Sequence, residues 1–191
     1  MVRTNLRRHI EGEAPAFENA VTATATGNTS EVSVRPVSSE DRERLGRMLS
    51  RISPRTIYER FHAPYPSVPG WALSGMVEAD HHDREALVAV AGGEIVGHAM
   101  YVRGYREREA ELAVVVEDGW RLLGIGRQLL DVLAAKAASR GVHLFTGSVL
   151  GENRRALGAL VAMFPGMCYE VRDGAYQVRA PLRELRGLPG L

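Results

Sequence analysis

The chain has one cysteine, Cys168, so no disulfide can form within it and a fold stapled by cross-links is excluded. That scarcity fits a reducing compartment. Long apolar runs are also missing: nothing approaches the ~20 residues that a bilayer-spanning helix needs. The basic start (Arg3, Arg7, Arg8) is not followed by the apolar core of a secretory signal. The expected location is therefore cytoplasmic, with no membrane partner. Charge of one sign is lacking too. Twenty-four basic residues face 23 acidic ones, for a formal net charge of +1, so nucleic acid is not an expected partner. There are no internal repeats, and 191 residues suit one domain around a single core.

Residues 1–30 are rich in Ala, Thr and Glu and offer little to bury, so they read as a disordered tail. The folded domain is expected over 31–182, with a second tail at 183–191. Val32 and Val34 alternate with polar neighbours in a strand ended by Pro36. Ser38 can cap a helix in which Leu45, Met48, Leu49 and Ile52 share one face. Ser53-Pro54 restarts a helix carrying Ile57, Tyr58 and Phe61. Three prolines in 62–69 make a loop, and Leu73, Met76 and Val77 mark a further helical turn. The run 86–91, a Gly92-Gly93 turn and the run 94–102 form a hairpin. A strand at 111–116 leads to a helix over 124–140, with Ile125, Leu129, Val132 and Leu133 inward and Gly141 ending it. Then come a strand (142–149), a helix (152–164) and a closing hairpin (168–172, 175–180). This order predicts an α/β fold with a mixed sheet flanked by helices.

The chemistry concentrates in ELAVVVEDGWRLLGIGRQLL, residues 111–130. It reads as a strand, a short loop and a helix start. The first amides of a helix lack internal partners and carry partial positive charge. Gly124 and Gly126 have no Cβ, so a phosphate can approach the backbone closely. Arg121 and Arg127 add full charges, and Leu122, Leu123 and Ile125 complete the loop. This is a site for a diphosphate. A dinucleotide fingerprint would need a third glycine where Leu129 stands, and an acid in the next strand, which has none. A Walker loop would need Gly-Lys-Ser/Thr, which is absent. The glycines alone leave open a helix start with no ligand.

Arg121, Gly124 and Gly126 after an apolar strand match the acyl-CoA signature Arg/Gln-x-x-Gly-x-Gly/Ala of the GNAT superfamily. The wider text resembles the catalytic domain of bacterial Pat-type protein lysine acetyltransferases. It does so through VRPV (34–37), LSRISPRTIYERF (49–61), ALVAV (86–90), EIVG (94–97), AELAVVV (110–116) and FTGSVLGEN (145–153). The resemblance implies the GNAT fold, a mostly antiparallel central sheet flanked by helices, and acetyl-CoA as cosubstrate with no metal. It implies that the strand at Val114, Val115 and Val116 splays from its neighbour and offers backbone groups to pantetheine. It also implies that Asn153 helps hold the cosubstrate.

A lysine amine with a pKa of ~10.4 must lose its proton before it can attack a thioester. A placed carboxylate can take that proton. Glu111 is a lone acid in an apolar strand, on the face of Ala113 and Val115, where burial would make it a better base. The resemblance gives the matching glutamate this role. The expected acceptor is a protein lysine. A small-molecule amine is the alternative, as is a non-catalytic acyl-CoA-binding module, and a homodimer stays open. Many GNAT enzymes carry a proton-donating tyrosine where Leu160 stands, in a stripe with Leu157, Val161 and Phe164 read as core-facing. Tyr169 is a remote replacement. Cys168 reads as a small core residue, His98 as locally bonded, and His81-His82-Asp83 as a polar turn rather than a metal site. Arg154 and Arg155 could reach a CoA phosphate or simply face solvent.

Overall fold

The structure is a computed structural model and describes residues 19–25, 28–106 and 108–182. The elements run β1 (Asn19–Ala25), β2 (Asn28–Pro36), α1 (Arg42–Arg51), α2 (Pro54–Phe61), α3 (Gly70–Val77), β3 (Arg84–Ala91) and β4 (Glu94–Arg103). They continue with β5 (Glu109–Val116), α4 (Ile125–Ser139), β6 (Leu144–Leu150), α5 (Arg154–Met163), β7 (Cys168–Arg172) and β8 (Ala175–Pro181). Among the described residues the eight strands form one sheet in the order β1-β2-β3-β4-β5-β6-β8-β7. Every neighbouring pair is antiparallel except β5–β6. A parallel pair needs a crossover, and α4 supplies it.

Successive strand side chains point to opposite faces, so each strand feeds two cores. Val34, Leu87, Ala89, Ala99, Tyr101 and Ala110 pack against α4 and α5 through Ile125, Leu129, Leu133 and Leu160. Ala86, Val88, Ile95, Met100 and Val115 meet α1, α2 and α3 through Leu45, Met48, Ile57 and Met76. Gly97 lets α4 come close, because a Cβ there would stand 3.1 Å from Leu129. In β5 the alternation sends Leu112, Val114 and Val116 toward α4, and Glu111, Ala113 and Val115 toward the α1–α3 side. No helix among the described residues is long and apolar enough to cross a membrane.

Helix boundaries follow the local chemistry. Ser53 caps α2 by accepting from Thr56 N at 3.2 Å, with Pro54 in its first turn. Gly141, at φ 78°, follows the last turn of α4. Three expectations need correction. The sequence reading begins ordered structure at Glu31, yet β1 pairs with β2 from Asn19↔Val34 to Ala25↔Asn28. The stretch NAVTATA carries the β-branched residues that a strand favours, which its low hydrophobicity obscured. Residues 1–18 and 183–191 lie outside the described residues. Cys168 is exposed, not core, because β7 is the last strand of the sheet order. Val161 is also exposed, while Leu160 and Phe164 of the same stripe are buried. α5 covers the sheet with a narrower face than the apolar count implies.

Candidate functional site

The single parallel pair is short. β5 and β6 are in register only over Glu109↔Leu144, Ala110↔Phe145 and Glu111↔Thr146. Beyond that point β6 continues to Leu150 and β5 to Val116 without pairing to each other. β5 stays bonded to β4 on its other edge through Gly97↔Val116. Glu117 N bonds Val96 O on the β4 side, so by alternation the N–H and C=O groups of Leu112, Val114 and Val116 face β6. Consistent with that, Leu112 O lies 3.3 Å from where a Gly147 Cβ would stand. The two strands therefore part just past Glu111, leaving a row of backbone donors and acceptors along Val114. The resemblance implies a pantetheine slot along this stretch.

β5 ends in a loop with unusual backbone. Leu122 sits at φ 68° and Gly124 at φ 81°. Glycine tolerates that region, whereas a leucine there costs about 1–2 kcal/mol. Left-handed residues help build backbone nests that gather N–H groups around an anion. Gly124 immediately precedes α4, whose first amides have no carbonyl partner within the helix. Leu122 is exposed, Leu123 is half-buried against the core and Ile125 is buried. Gly126 lies beside Val116, 3.7 Å from a Cβ it does not have. The backbone can thus receive a diphosphate.

The two arginines differ from the sequence picture. Arg127 is largely exposed and lies 3.5 Å from Asp131. Arg121 turns away to α2. Its Nη2 donates to Thr56 Oγ1 at 2.7 Å and to Glu59 Oε2 at 3.3 Å, and its Nε donates to Val116 O at 3.4 Å. Thr56 and Asp118, which receive and hold this contact, had no functional reading from sequence. The one available signal was the Ser53-Pro54-x-Thr56 helix start.

Glu111 corrects another expectation. It lies on the anticipated face, but it is exposed rather than buried. It sits where β5–β6 pairing ends, so its carboxylate borders the slot. The nearby cation is Arg60 of α2, whose guanidinium stacks 4.9 Å from the Phe61 ring centroid and lies 3.9 Å from Met100 Sδ. Burial pulls Arg60 down to about 10, and the Glu111 charge works in the other direction. His98 is fully buried and bonds Met76 O through Nε2 at 3.0 Å. Burial, reinforced by the Arg60 charge, pushes it down to about 3, so it is a neutral packing residue.

Asn153 caps α5, its Oδ1 accepting from Ala156 N at 3.1 Å, which leaves its Nδ2 donors unused by the cap. Arg154 and Arg155 are exposed on the same turn. Leu160 is buried, and its alkyl side chain has no proton to offer. Tyr169 stands edge-on to Tyr176 at 5.2 Å on the outer hairpin. His81 bonds Glu85 at 2.8 Å and His82 bonds Asp83 at 3.1 Å, so the two imidazoles diverge.

The chain is similar to known proteins. An acetyltransferase of Pseudomonas aeruginosa is 32% identical over 109 residues, covering 53% of this chain and 59% of its own length. The acetyltransferase Pat of Mycolicibacterium smegmatis is 32% identical over 123 residues, 63% of this chain and 37% of its own. The chain thus spans only part of the length of these curated relatives. The crystal structure of the GNAT domain of S. lividans PAT superposes with a TM-score of 0.77 at 29% identity, covering 89% of this chain and all of that one. The model of the acetyltransferase (GNAT) family matches residues 49–161, from the end of α1 through the phosphate-type loop into α5, and the chain belongs to that family.

Proposed function

We propose that the chain transfers an acetyl group from acetyl-CoA to an amine, and that the acceptor is a protein lysine. The observation that carries this reading is the end of β5–β6 pairing at Glu111. From Glu111 to Val116 the strand runs about 17 Å at ~3.3 Å per residue. That is the scale of an extended pantetheine arm. The loop at residues 121–127 and the start of α4 would hold the diphosphate. The backbone at Val114 and Val116 would hold the arm, while the groups of Val115, which the resemblance also implies, turn to His98 of β4, and Asn153 would donate from beyond the slot. The thioester then arrives beside Glu111.

Glu111 takes a proton from the acceptor ammonium, directly or through a water, and frees the nitrogen lone pair. The amine forms a bond to the thioester carbonyl carbon, the C–S bond breaks, the sulfur leaves with its electron pair, and the nitrogen releases its surplus proton to solvent to give the neutral amide. With Leu160 buried, the leaving thiolate draws its proton from solvent. The lysine acceptor rests on likeness to Pat, and a small amine is the neighbouring reading.

Glu111→Gln keeps the shape and removes the base. The expected loss in kcat is roughly 10²–10⁴-fold, with acetyl-CoA affinity retained. Full turnover by this variant on the same acceptor would remove Glu111 from the mechanism. The buried Leu160 favours one rival, a non-catalytic acyl-CoA-binding module. Tight acetyl-CoA binding by calorimetry without turnover on any amine would establish that rival.

A further inference from the structure

The loop that the proposed function assigns to the diphosphate is fastened from outside at three successive points, all from the α1–α2 side. Arg51, at the end of α1, grips Glu117 through Nε (3.0 and 3.1 Å) and Nη2 (2.9 Å) and also donates to Ile95 O at 2.9 Å. Asp118 accepts from Ser53 N at 2.8 Å, Ser53 Oγ at 3.2 Å and Thr56 Oγ1 at 2.6 Å. Arg121 closes the set on Thr56 Oγ1 and Glu59. The Thr56 hydroxyl is buried; it donates to Asp118, accepts from Arg121 and lies 2.9 Å from Ser53 Oγ. The next residue, Leu122, holds the strained left-handed backbone. A strained residue persists only where its surroundings over-determine it.

We infer that Thr56, Asp118 and Arg121 form a latch that pins the loop to α2, so that Arg121 is a positioning residue and not a phosphate ligand. Three of its five N–H donors, the Nη2 pair and Nε, go to Thr56, Glu59 and Val116 and turn the guanidinium toward α2, and the amides that follow it are left to meet the diphosphate. The latch also links the two halves of the site. α2 begins at the Ser53–Asp118 contact and, two turns on, carries Arg60, which packs on Met100 of β4 and feels the Glu111 charge.

The inference rests on the proposed acetyl-CoA site, and its test separates the two. Acetyl-CoA affinity is measured by calorimetry for the wild type, Thr56→Val, Asp118→Asn, Arg121→Gln and the Thr56→Val/Arg121→Gln double variant. Thr56→Ser keeps the hydroxyl and serves as rescue, and thermal melts report folding. The latch predicts roughly tenfold weaker binding for each single variant, wild-type affinity for Thr56→Ser, and a double variant no weaker than the weaker single. If Thr56→Val binds normally while Arg121→Gln weakens binding, or if the two losses add, Arg121 is a direct ligand and the latch is overturned. Should Thr56→Val fold poorly, Asp118→Asn decides alone: unchanged affinity overturns the latch. A wild type that does not bind acetyl-CoA overturns the parent reading instead.

Discussion

His98 and Glu111 show how a residue's meaning depends on what surrounds it. Both are titratable groups on strands, on the α1–α3 side of the sheet. His98 is sealed under α3 and held neutral, whereas Glu111 opens onto solvent at the mouth of the slot. The sequence marked Glu111 as the only acid in its apolar run, which was enough to select it. Its exposure was not legible, because a strand end takes its burial from the neighbour that covers it. The His98 environment carries a pH consequence. Its folded pKa of about 3 lies below the ordinary 6.5, so protonation favours the unfolded chain. That contribution is complete above pH 6.5 and is lost progressively as pH falls toward 3. Between pH 6.5 and 5 it amounts to about 2 kcal/mol. Urea unfolding across that range should show the fall. His98→Gln, which can still donate to Met76 O, should flatten it; an unchanged slope in the variant contradicts the assignment.

At the scale of elements, helices and strands were legible where periodicity was strong. Ile125, Leu129 and Leu133 define the buried face of α4, as their spacing predicts. The Ser53 cap and the Gly141 stop were legible from local chemistry. β1 was not, since a strand of Ala and Thr carries a weak apolar signal and acquires its partner only in the folded sheet. The glycines marked the loop before α4 as a candidate anion site, whereas the left-handed Leu122 has no sequence mark. A substitution at Gly124 tests the backbone directly. No atom lies within 4 Å of a Cβ there, so any cost is conformational and not steric. Gly124→Val should lose about 1–3 kcal/mol of stability and weaken acetyl-CoA binding, with Gly124→Asn intermediate, because asparagine visits the left-handed region more readily. Equal melting temperatures and affinities for all three would show that the loop is not held in this form.

At the scale of the whole molecule, charge is distributed as local clusters and not as a field. Glu85 is fully buried, yet meets Arg140 at 2.5 Å, His81 at 2.8 Å and Lys136 at 3.3 Å. Burial works to raise its pKa, but His81, Arg140 and Lys136 outweigh it and hold the carboxyl below its usual value. The partners are partly exposed, so the two ways of breaking the cluster differ. Arg140→Met leaves the buried carboxylate with only His81 and Lys136 and should cost up to about 3 kcal/mol, while Glu85→Gln lets the cations turn to water and should cost less. Denaturant midpoints for the two variants check the order. Lys136 is the only lysine in the chain, and it is committed to this cluster. Arginine stays protonated and is no acyl acceptor. Prolonged incubation with acetyl-CoA should therefore leave Lys136 unmodified by mass spectrometry, and Glu85→Gln should make it reactive. Ready acetylation of Lys136 in the wild type would show that the cluster does not shield it.

The order of elements, the amphipathic faces and the glycine-marked helix start follow from short-range rules: side-chain period, capping and backbone freedom. Those rules act within a few residues, so they can be read along the chain, and they single out the loop before α4 and its neighbouring acid as candidates. The parting of β5 from β6 just past Glu111, the turn of Arg121 toward Thr56 and the exposure of Glu111 all depend on residues about 30 to 65 positions apart. Such contacts exist only once the sheet has closed around α4 and α2 has packed across it.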